Sequence, residues 1–382
     1  MGGIFIMFPY SLMPSIFASI LFFHILPCHS FTSFIFGDSL VDAGNNDYLF
    51  TLSKADFPPY GIDFIASGGQ PTGRFTNGRT ISDLVGQALG APTFPLPYLS
   101  LDAEFNATTI GINYASGASG ILDETGSVFI GRIPLKQQIS YFEETRRKMM
   151  SSIGEVKTKE LLESAIFSFT IGSNDILNYF QPSLPLFTPR KASPPSAFQD
   201  FMVSNFTTLL KRLHKFGARK FVIVGVGPLG CIPFIRATRL VPKGQCSATL
   251  NDLARGYNQK LQAELNRMNR DLGPEALFIF ANVYDIVRNI ILNHDQYGFE
   301  NGDGPCCGGS IPPFMCYKAK DANISNVVCD DRDKYVFWDA YHPTEAANRI
   351  IAQQLFDGDK RLSYPINIRA LYNYHFDNNS KA

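Results

Sequence analysis

The sequence predicts an α/β protein with a parallel β-sheet between helices, and three observations support this prediction. Five short segments rich in Ile, Val and Phe end in Gly or small polar residues, as buried strands do: residues 34–37, 110–115, 165–172, 220–227 and 276–281. Segments with helical periodicity lie between them. Strands that alternate with helices along a chain form a parallel sheet that is covered on both faces.

The clearest predicted helix covers residues 250–272. Its apolar residues recur at spacings of three and four on one face, and Gly273-Pro274 follows as a stop signal. Further helices are predicted over residues 197–216 and 343–355. The chain has no internal repeat and no linker that would divide it. We therefore expect residues 31–382 to form a single domain.

Residues 1–30 have the features of a secretory signal peptide. No Asp, Glu, Lys or Arg precedes Asp38, residues 15–26 form an apolar core, and Cys28 and Ser30 provide small residues for cleavage. The alternative is an uncleaved membrane anchor, because no Lys or Arg precedes the apolar core. No later segment is long and apolar enough to span a bilayer, so we expect no transmembrane segment in the mature chain.

The composition argues against a nucleic acid as partner. The chain carries 34 Lys and Arg against 34 Asp and Glu, and it has no long basic run. Four Asn-X-Ser/Thr sequons fit a secreted protein. We expect N-glycans at some of these positions, which are Asn106, Asn205, Asn323 and Asn378.

The cysteine content favours an oxidising compartment. Of seven cysteines one, Cys28, lies in the predicted signal, and the even number that remains suggests disulfides. Cys231 and Cys246 bracket a short loop and are the pair we predict first. The other four, Cys306, Cys307, Cys316 and Cys329, can pair in three ways. Zinc binding is the competing interpretation, but adjacent cysteines in "GPCCGG" lack the usual ligand spacing.

Polar groups stand at the ends of several predicted strands. The first strand ends at Gly37-Asp38-Ser39, the second continues into "NYASGASG" (residues 113–120), and the third into "GSND" (residues 172–175). Sites in such sheets form at the carboxyl ends of the strands. Ser39 is therefore a candidate nucleophile. The alternative is a serine that only caps a turn or a helix.

A serine nucleophile needs a base and a group that orients the base. Of the four histidines after residue 30, only His342 has an acid three residues before it, which is Asp339 in "WDAYHP". In a turn that enters a helix these two residues face each other. Asp339 can then accept the Nδ1 proton of His342 and leave Nε2 for the serine. The alternative is that Asp339 caps the helix that follows.

Six motifs occur in order along the chain: "FIFGDSLVDAGNN", "GRFTNGR", "INYASGASGIL", "TIGSNDIL", "GVGPLGCIP" and "FWDAYHPTEAAN". Together they resemble the plant GDSL-type esterase/lipases of the SGNH hydrolase superfamily, over nearly the whole mature chain. The GxSxG elbow of the α/β-hydrolases is absent. The resemblance implies a single three-layer α/β/α domain with a five-stranded parallel, flavodoxin-like sheet.

The resemblance also implies roles for particular residues. Ser39 corresponds to the nucleophile, and its own N–H to one donor of the oxyanion hole. The second donor corresponds to Gly117 or to Ala118, because "SGAS" here stands where relatives often have "SGGA". The side-chain amide of Asn174 corresponds to the third donor. No metal and no organic cofactor is implied.

These roles imply hydrolysis of carboxylic esters, lipid or smaller, by a secreted serine esterase or lipase. His342, oriented by Asp339, takes the proton of Ser39, the acyl group moves to Ser39, and water then releases it. One alternative is an acyltransferase that uses the same acyl-enzyme. Another is a non-catalytic protein that binds a carbohydrate or a protein partner on the same fold. We expect the protein outside the cell or in the cell wall, with the vacuole as the alternative.

Overall fold

The computed structural model describes residues 31–101, 111–180, 193–308, 316 and 328–376, besides Gly2. The predicted signal peptide, apart from Gly2, lies outside the described residues, as do the sequons at Asn106, Asn323 and Asn378. The chain from Phe31 onward forms one compact unit. No helix in the described ranges is both long and apolar enough to cross a membrane.

A mainly parallel sheet forms the centre of the protein, with strands in the order β2-β3-β1-β4-β5-β6-β9. A separate pair, β7 and β8, forms a second small sheet. The strands are β1 (Ser33–Gly37), β2 (Leu96–Pro97), β3 (Ile112–Asn113), β4 (Ile166–Thr170), β5 (Lys220–Val224), β6 (Leu277–Ala281), β7 (Asn301–Pro305), β8 (Tyr335–Phe337) and β9 (Ser363–Tyr364).

The α/β class and the five parallel strands are confirmed. These strands are β1, β3, β4, β5 and β6, and they lie side by side in the flavodoxin-like order β3-β1-β4-β5-β6. The strand number was wrong, because the sheet has seven strands, with β2 and β9 added at its edges. Each added strand has only two residues, and β9 is antiparallel to β6. Segments this short carry no alternating or continuous apolar pattern.

Helices cover the sheet, and the three predicted ones correspond to α5, α7 and α9. The helices are α1 (Ile81–Ala88), α2 (Leu135–Ile153), α3 (Glu155–Ser164), α4 (Ser173–Tyr179), α5 (Pro195–Lys215), α6 (Pro233–Thr238), α7 (Ala248–Leu272), α8 (Val283–Leu292), α9 (Glu345–Asp357) and α10 (Ile368–Tyr372). Helix α9 begins after Thr344, whose Oγ1 accepts the Ala347 N–H at 3.1 Å. Thr344, and not Asp339, is therefore its N-cap.

The two faces of the sheet are packed differently. On one face aromatic rings stack across neighbouring strands, as Phe36 does on Phe169 with 4.8 Å between centroids. Phe142 of α2 and Phe206 of α5 cover this layer. The other face carries smaller side chains under α1, α9 and α10, around an apolar cavity of about 40 Å³; among these side chains are Ser33, Ile35, Ser168, Thr170, Val222 and Val224. Side chains alternate between faces along each strand, which produces this difference.

Three disulfides use all six cysteines that follow Cys28. Cys231 pairs with Cys246, which confirms the first predicted pair. The other pairs, left open by the sequence, are Cys306–Cys329 and Cys307–Cys316. The zinc alternative is excluded, because every candidate sulfur is bonded to another sulfur.

Replacing Phe167 by Ala tests the aromatic layer. Phe167 is fully buried between β1, β5 and α2, so the change removes contacts and leaves a cavity. We expect a loss of about 3–5 kcal/mol in the free energy of unfolding, measured with urea. Phe50→Ala is the control, because Phe50 is 86% exposed, and we expect a change within about 0.5 kcal/mol. Similar losses in both variants would contradict the described packing.

Candidate active site

Ser39 lies in a tight turn at the carboxyl end of β1. The turn closes through the N–H groups of Val41 and Asp42, which donate to the Asp38 carbonyl at 3.2 and 3.1 Å. A side chain on Gly37 would meet the Thr170 carbonyl oxygen at 2.5 Å and Val41 at 2.6 Å. Only glycine permits this close approach of β1 to β4. The turn therefore holds Ser39 at the edge of the sheet, where its side chain remains partly exposed.

The structure brings Ser39, His342 and Asp339 together, although Ser39 and His342 are 303 positions apart. The Nε2 atom of His342 is 2.7 Å from the Ser39 Oγ. On the other side of the ring, Nδ1 is 2.8 Å from each carboxylate oxygen of Asp339. A carboxylate can only accept, so Nδ1 carries the proton and Nε2 is free to accept one from Ser39.

Asp339 is buried and receives several hydrogen bonds. The N–H groups of Tyr341 and His342 donate to its Oδ1 at 2.8 Å, and the Tyr60 hydroxyl donates to its Oδ2 at 2.8 Å. Burial alone would raise the pKa of Asp339, but the charge of His342 and these donors hold the pKa below its ordinary value. Asp339 is therefore a carboxylate that can orient and stabilise a protonated imidazole.

A disulfide-linked cluster supports the segment before His342. The N–H groups of Cys306 and Cys307 donate to the carbonyls of Phe337 and Trp338. The backbone N–H of Trp338 in turn donates to the His342 carbonyl at 2.8 Å. The cluster also includes Tyr60 and Phe75, and the Phe75 ring lies 5.2 Å from the imidazole of His342. Packing against Phe75 thus helps to fix the orientation of the imidazole.

The two candidates for the second oxyanion donor, Gly117 and Ala118, differ in their hydrogen bonding. The Gly117 N–H donates to the buried Asp42 carboxylate at 2.9 Å. Within the described ranges, the N–H groups of Ser39 and Ala118 have no hydrogen-bond partner. Asn174 donates to the Ser119 carbonyl at 2.9 Å, so its amide does not bond its own turn. A buried carboxylate requires hydrogen-bond donors, which explains why Asp42 accepts the N–H of Gly117.

Sequence reasoning missed several supporting residues. Asp42 and Asn46 belong to the quoted motif "DAGNN", where buried acid and amide groups were a signal to which no role was assigned. Phe75 lies in the quoted "GRFTNGR". Tyr60 lies in no motif, and nothing in the sequence pointed to it. Among the residues that the structure describes, no group of three or more His, Cys, Asp or Glu could hold a metal ion.

Comparisons with known proteins place the chain beside a family of hydrolases. The profile of a family described as GDSL-like Lipase/Acylhydrolase matches residues 34–355. GDSL esterase/lipase At5g41890 of Arabidopsis thaliana is 59% identical over 345 residues, 90% of this chain and 93% of the relative. From the same plant, At2g23540 is 46% identical (89% of this chain, 87% of the relative) and At4g16230 is 48% identical (89% and 90%). The family match includes both the segment of Ser39 and that of His342.

Four carboxyl groups within or directly beside these motifs lie in an unfavourable environment for their charge. Burial raises the pKa of Asp38 and Asp42 to about 7, and that of Asp47 and Asp175 to about 6. Backbone N–H donors offset part of this effect for Asp38, Asp42 and Asp175. Within the described residues, Asp38 Oδ2 has no hydrogen-bond partner at all. These groups hold a proton more tightly in the folded chain than in the unfolded chain.

Removing the Tyr60 hydroxyl tests its hydrogen bond to Asp339. We expect Tyr60→Phe to lower the free energy of unfolding by about 1.5–3 kcal/mol at neutral pH, because a buried carboxylate loses one donor. Urea unfolding measures this loss. Tyr257→Phe is the matched control: Tyr257 is fully buried, but its hydroxyl has no partner among the described residues. A loss in Tyr257→Phe as large as in Tyr60→Phe would contradict this account.

Stability is expected to fall as the pH rises from 5 to 7.5. A carboxyl group whose pKa is higher in the folded than in the unfolded chain stabilises the fold by binding a proton. This stabilisation is full below the unfolded pKa of about 4, and it is lost as the pH rises through the folded-state pKa. That window is about 4–7 for the four carboxyls. Burial lowers the pKa of His214, so this residue has the opposite effect on the pH dependence of stability. It is one group against four.

Thermal unfolding at constant ionic strength measures this dependence. The midpoint should be higher at pH 5 than at pH 7.5, and Asp38→Asn should show a smaller difference because one raised carboxyl is gone. A midpoint that stays constant or rises over this range would be evidence against the raised pKa values.

Proposed function

The chain belongs to the GDSL-like lipase/acylhydrolase family and is a carboxylic ester hydrolase, and from this premise we propose that it acts through an acyl-enzyme on Ser39. One observation carries the proposal. The Ser39 Oγ lies 2.7 Å from His342 Nε2, and the buried Asp339 carboxylate lies behind the same ring at 2.8 Å. This is the arrangement that activates a serine hydroxyl for attack.

The reaction proceeds in two halves. In the first, Ser39 Oγ attacks the ester carbonyl while His342 Nε2 accepts its proton, and Asp339 stabilises the imidazolium. His342 then donates that proton to the departing alcohol, which leaves an acyl group on Ser39. In the second half His342 takes a proton from water, the water attacks the acyl carbon, and the free acid departs as Ser39 regains its proton.

Three N–H groups are proposed to stabilise the oxyanion that forms in each half. They belong to the backbone of Ser39, the backbone of Ala118 and the side chain of Asn174. The free N–H groups of Ser39 and Ala118 support this assignment, as does the engagement of Gly117 with Asp42. One such donor is typically worth about 10²–10³ in rate. We therefore propose the N–H of Ala118, rather than that of Gly117, as the second oxyanion donor.

Secretion is proposed from the signal-like N-terminus and from the three disulfides, because disulfides persist in oxidising compartments. The destination is the cell wall or extracellular space, or else the vacuole. Glycans are proposed at some of the four sequons. Asn205, on α5, is an unfavourable acceptor after folding, because its amide bonds the Phe201 carbonyl and Thr207 is buried.

Replacing Ser39 by Ala tests the proposed nucleophile. We expect turnover of p-nitrophenyl butyrate to fall by about 10⁴-fold or more, and covalent labelling by a fluorophosphonate to disappear, because no acyl-enzyme can form. Ser151→Ala, which removes an exposed serine hydroxyl on α2, should retain both. Unchanged turnover in Ser39→Ala would contradict the proposal that Ser39 is the nucleophile. Product analysis in the presence of an added alcohol separates hydrolysis from transfer.

A further inference from the structure

We propose that Asn46 is a positioning residue that aims the Ala118 N–H at the substrate oxyanion by locking the Gly117–Ala118 peptide. This inference rests on the proposed function, which makes that N–H an oxyanion donor. It gives a role to the amide at the end of "DAGNN", which the catalytic mechanism leaves unused.

The Gly117–Ala118 peptide lies at the centre of a turn with an unusual backbone. The Ser119 N–H donates to the Ser116 carbonyl at 3.2 Å, which closes the turn. Ala118, its third residue, has a φ of 64°, a value that type II turns require and that favours glycine. A flip of the central peptide toward a type I turn would bring Ala118 to an ordinary negative φ. Something must therefore hold the peptide in the strained orientation.

Asn46 holds the carbonyl of this peptide. It is fully buried, and its Nδ2 donates to the Gly117 carbonyl at 3.0 Å and to the Ser53 carbonyl at 2.9 Å. Its Oδ1 accepts the Ser116 hydroxyl, which fixes which way the amide is turned. In a trans peptide the carbonyl and the N–H point in opposite directions. The Ala118 N–H therefore points away from Asn46.

Neighbouring contacts connect the turn that carries this N–H to the segment of Ser39 and to Asn174. Asp42 binds the Gly117 N–H at 2.9 Å, which fixes the preceding peptide as well. The Ser119 hydroxyl donates to the Gly37 carbonyl at 2.9 Å, two residues before Ser39. Asn174 donates to the Ser119 carbonyl. The turn is thus tied to the strand that ends at Ser39 and to the proposed third donor.

The orientation of the peptide decides the sign of its effect on the oxyanion. In the observed orientation, an N–H of Ala118 faces the site. After a flip, the carbonyl oxygen of Gly117 would face the site and repel the developing negative charge. Loss of the Asn46 amide should therefore reduce the rate of the chemical step more than it reduces substrate binding.

The test compares two Asn→Asp variants. Asn46→Asp places a carboxylate oxygen against the carbonyls of Gly117 and Ser53. With p-nitrophenyl acetate we expect kcat to fall by about 10²–10³-fold, with KM changed less than threefold. The control is Asn269→Asp near the end of α7: the Asn269 side chain also binds a backbone N–H and a carbonyl, both of Phe278 in β6 at 2.8 Å. This variant should lose stability but keep kcat, because Phe278 lies at the amino end of β6, away from the carboxyl ends where Ser39 lies.

A loss of kcat in Asn46→Asp no greater than in Asn269→Asp would overturn the inference, as would a loss confined to KM. If Asn46→Asp does not fold, Asn46→Ala is judged by the same two criteria.

A crystal structure of Asn46→Ala adds a readout that does not depend on activity. We expect the Gly117–Ala118 peptide to be flipped or to adopt two orientations, and a single unflipped peptide would refute the lock. If the unmodified protein neither hydrolyses the ester nor reacts with a fluorophosphonate, the proposed function fails. The orientation in Asn46→Ala still decides whether Asn46 holds the peptide.

Discussion

The buried carboxylate of Asp339 is the constraint on which the candidate site depends. A charge removed from water must receive hydrogen bonds within the protein. Asp339 obtains them from its own turn, from the imidazole of His342, and from the Tyr60 hydroxyl, which comes from a loop 279 positions earlier in the chain. The hydrogen bond between Asp339 and His342 fixes the orientation of the imidazole, so that its Nε2 lies within hydrogen-bond distance of the Ser39 Oγ. It also brings the disulfide-linked cluster around Trp338 against the same segment.

A second buried carboxylate organises the other half of the site in a similar way. Asp42 accepts three backbone N–H groups, from Gly44, Asn45 and Gly117. Such bonds hold loops in one conformation without adding a reactive group. The polar residues that follow Ser39 therefore serve the geometry of the site rather than its chemistry. The same motif supplies both the proposed nucleophile and the framework around it.

The sequence predicted the parts of the fold that depend on long apolar segments and on strand–helix alternation. It also predicted the Ser39, Asp339 and His342 constellation, because these residues follow strand ends or lie three apart. It could not predict the two-residue edge strands, whose pairing depends on neighbouring strands, or Tyr60, which reaches Asp339 only through tertiary packing. The proposal of Ala118 rather than Gly117 rests on the bond between the Gly117 N–H and the buried Asp42 carboxylate, and sequence spacing does not contain that information.

The position of these residues in the chain has a consequence for synthesis. Ser39 and the Asp339–His342 pair lie near opposite ends of the matched region, 303 positions apart from serine to histidine. A ribosome delivers the N-terminal side first, so Ser39 emerges before the segment of its proposed base, His342, has been synthesised. Until that segment has folded against the turn after β1, the Ser39 hydroxyl lacks its proposed proton acceptor. The proposed reactive centre therefore depends on a contact between segments that are synthesised at very different times.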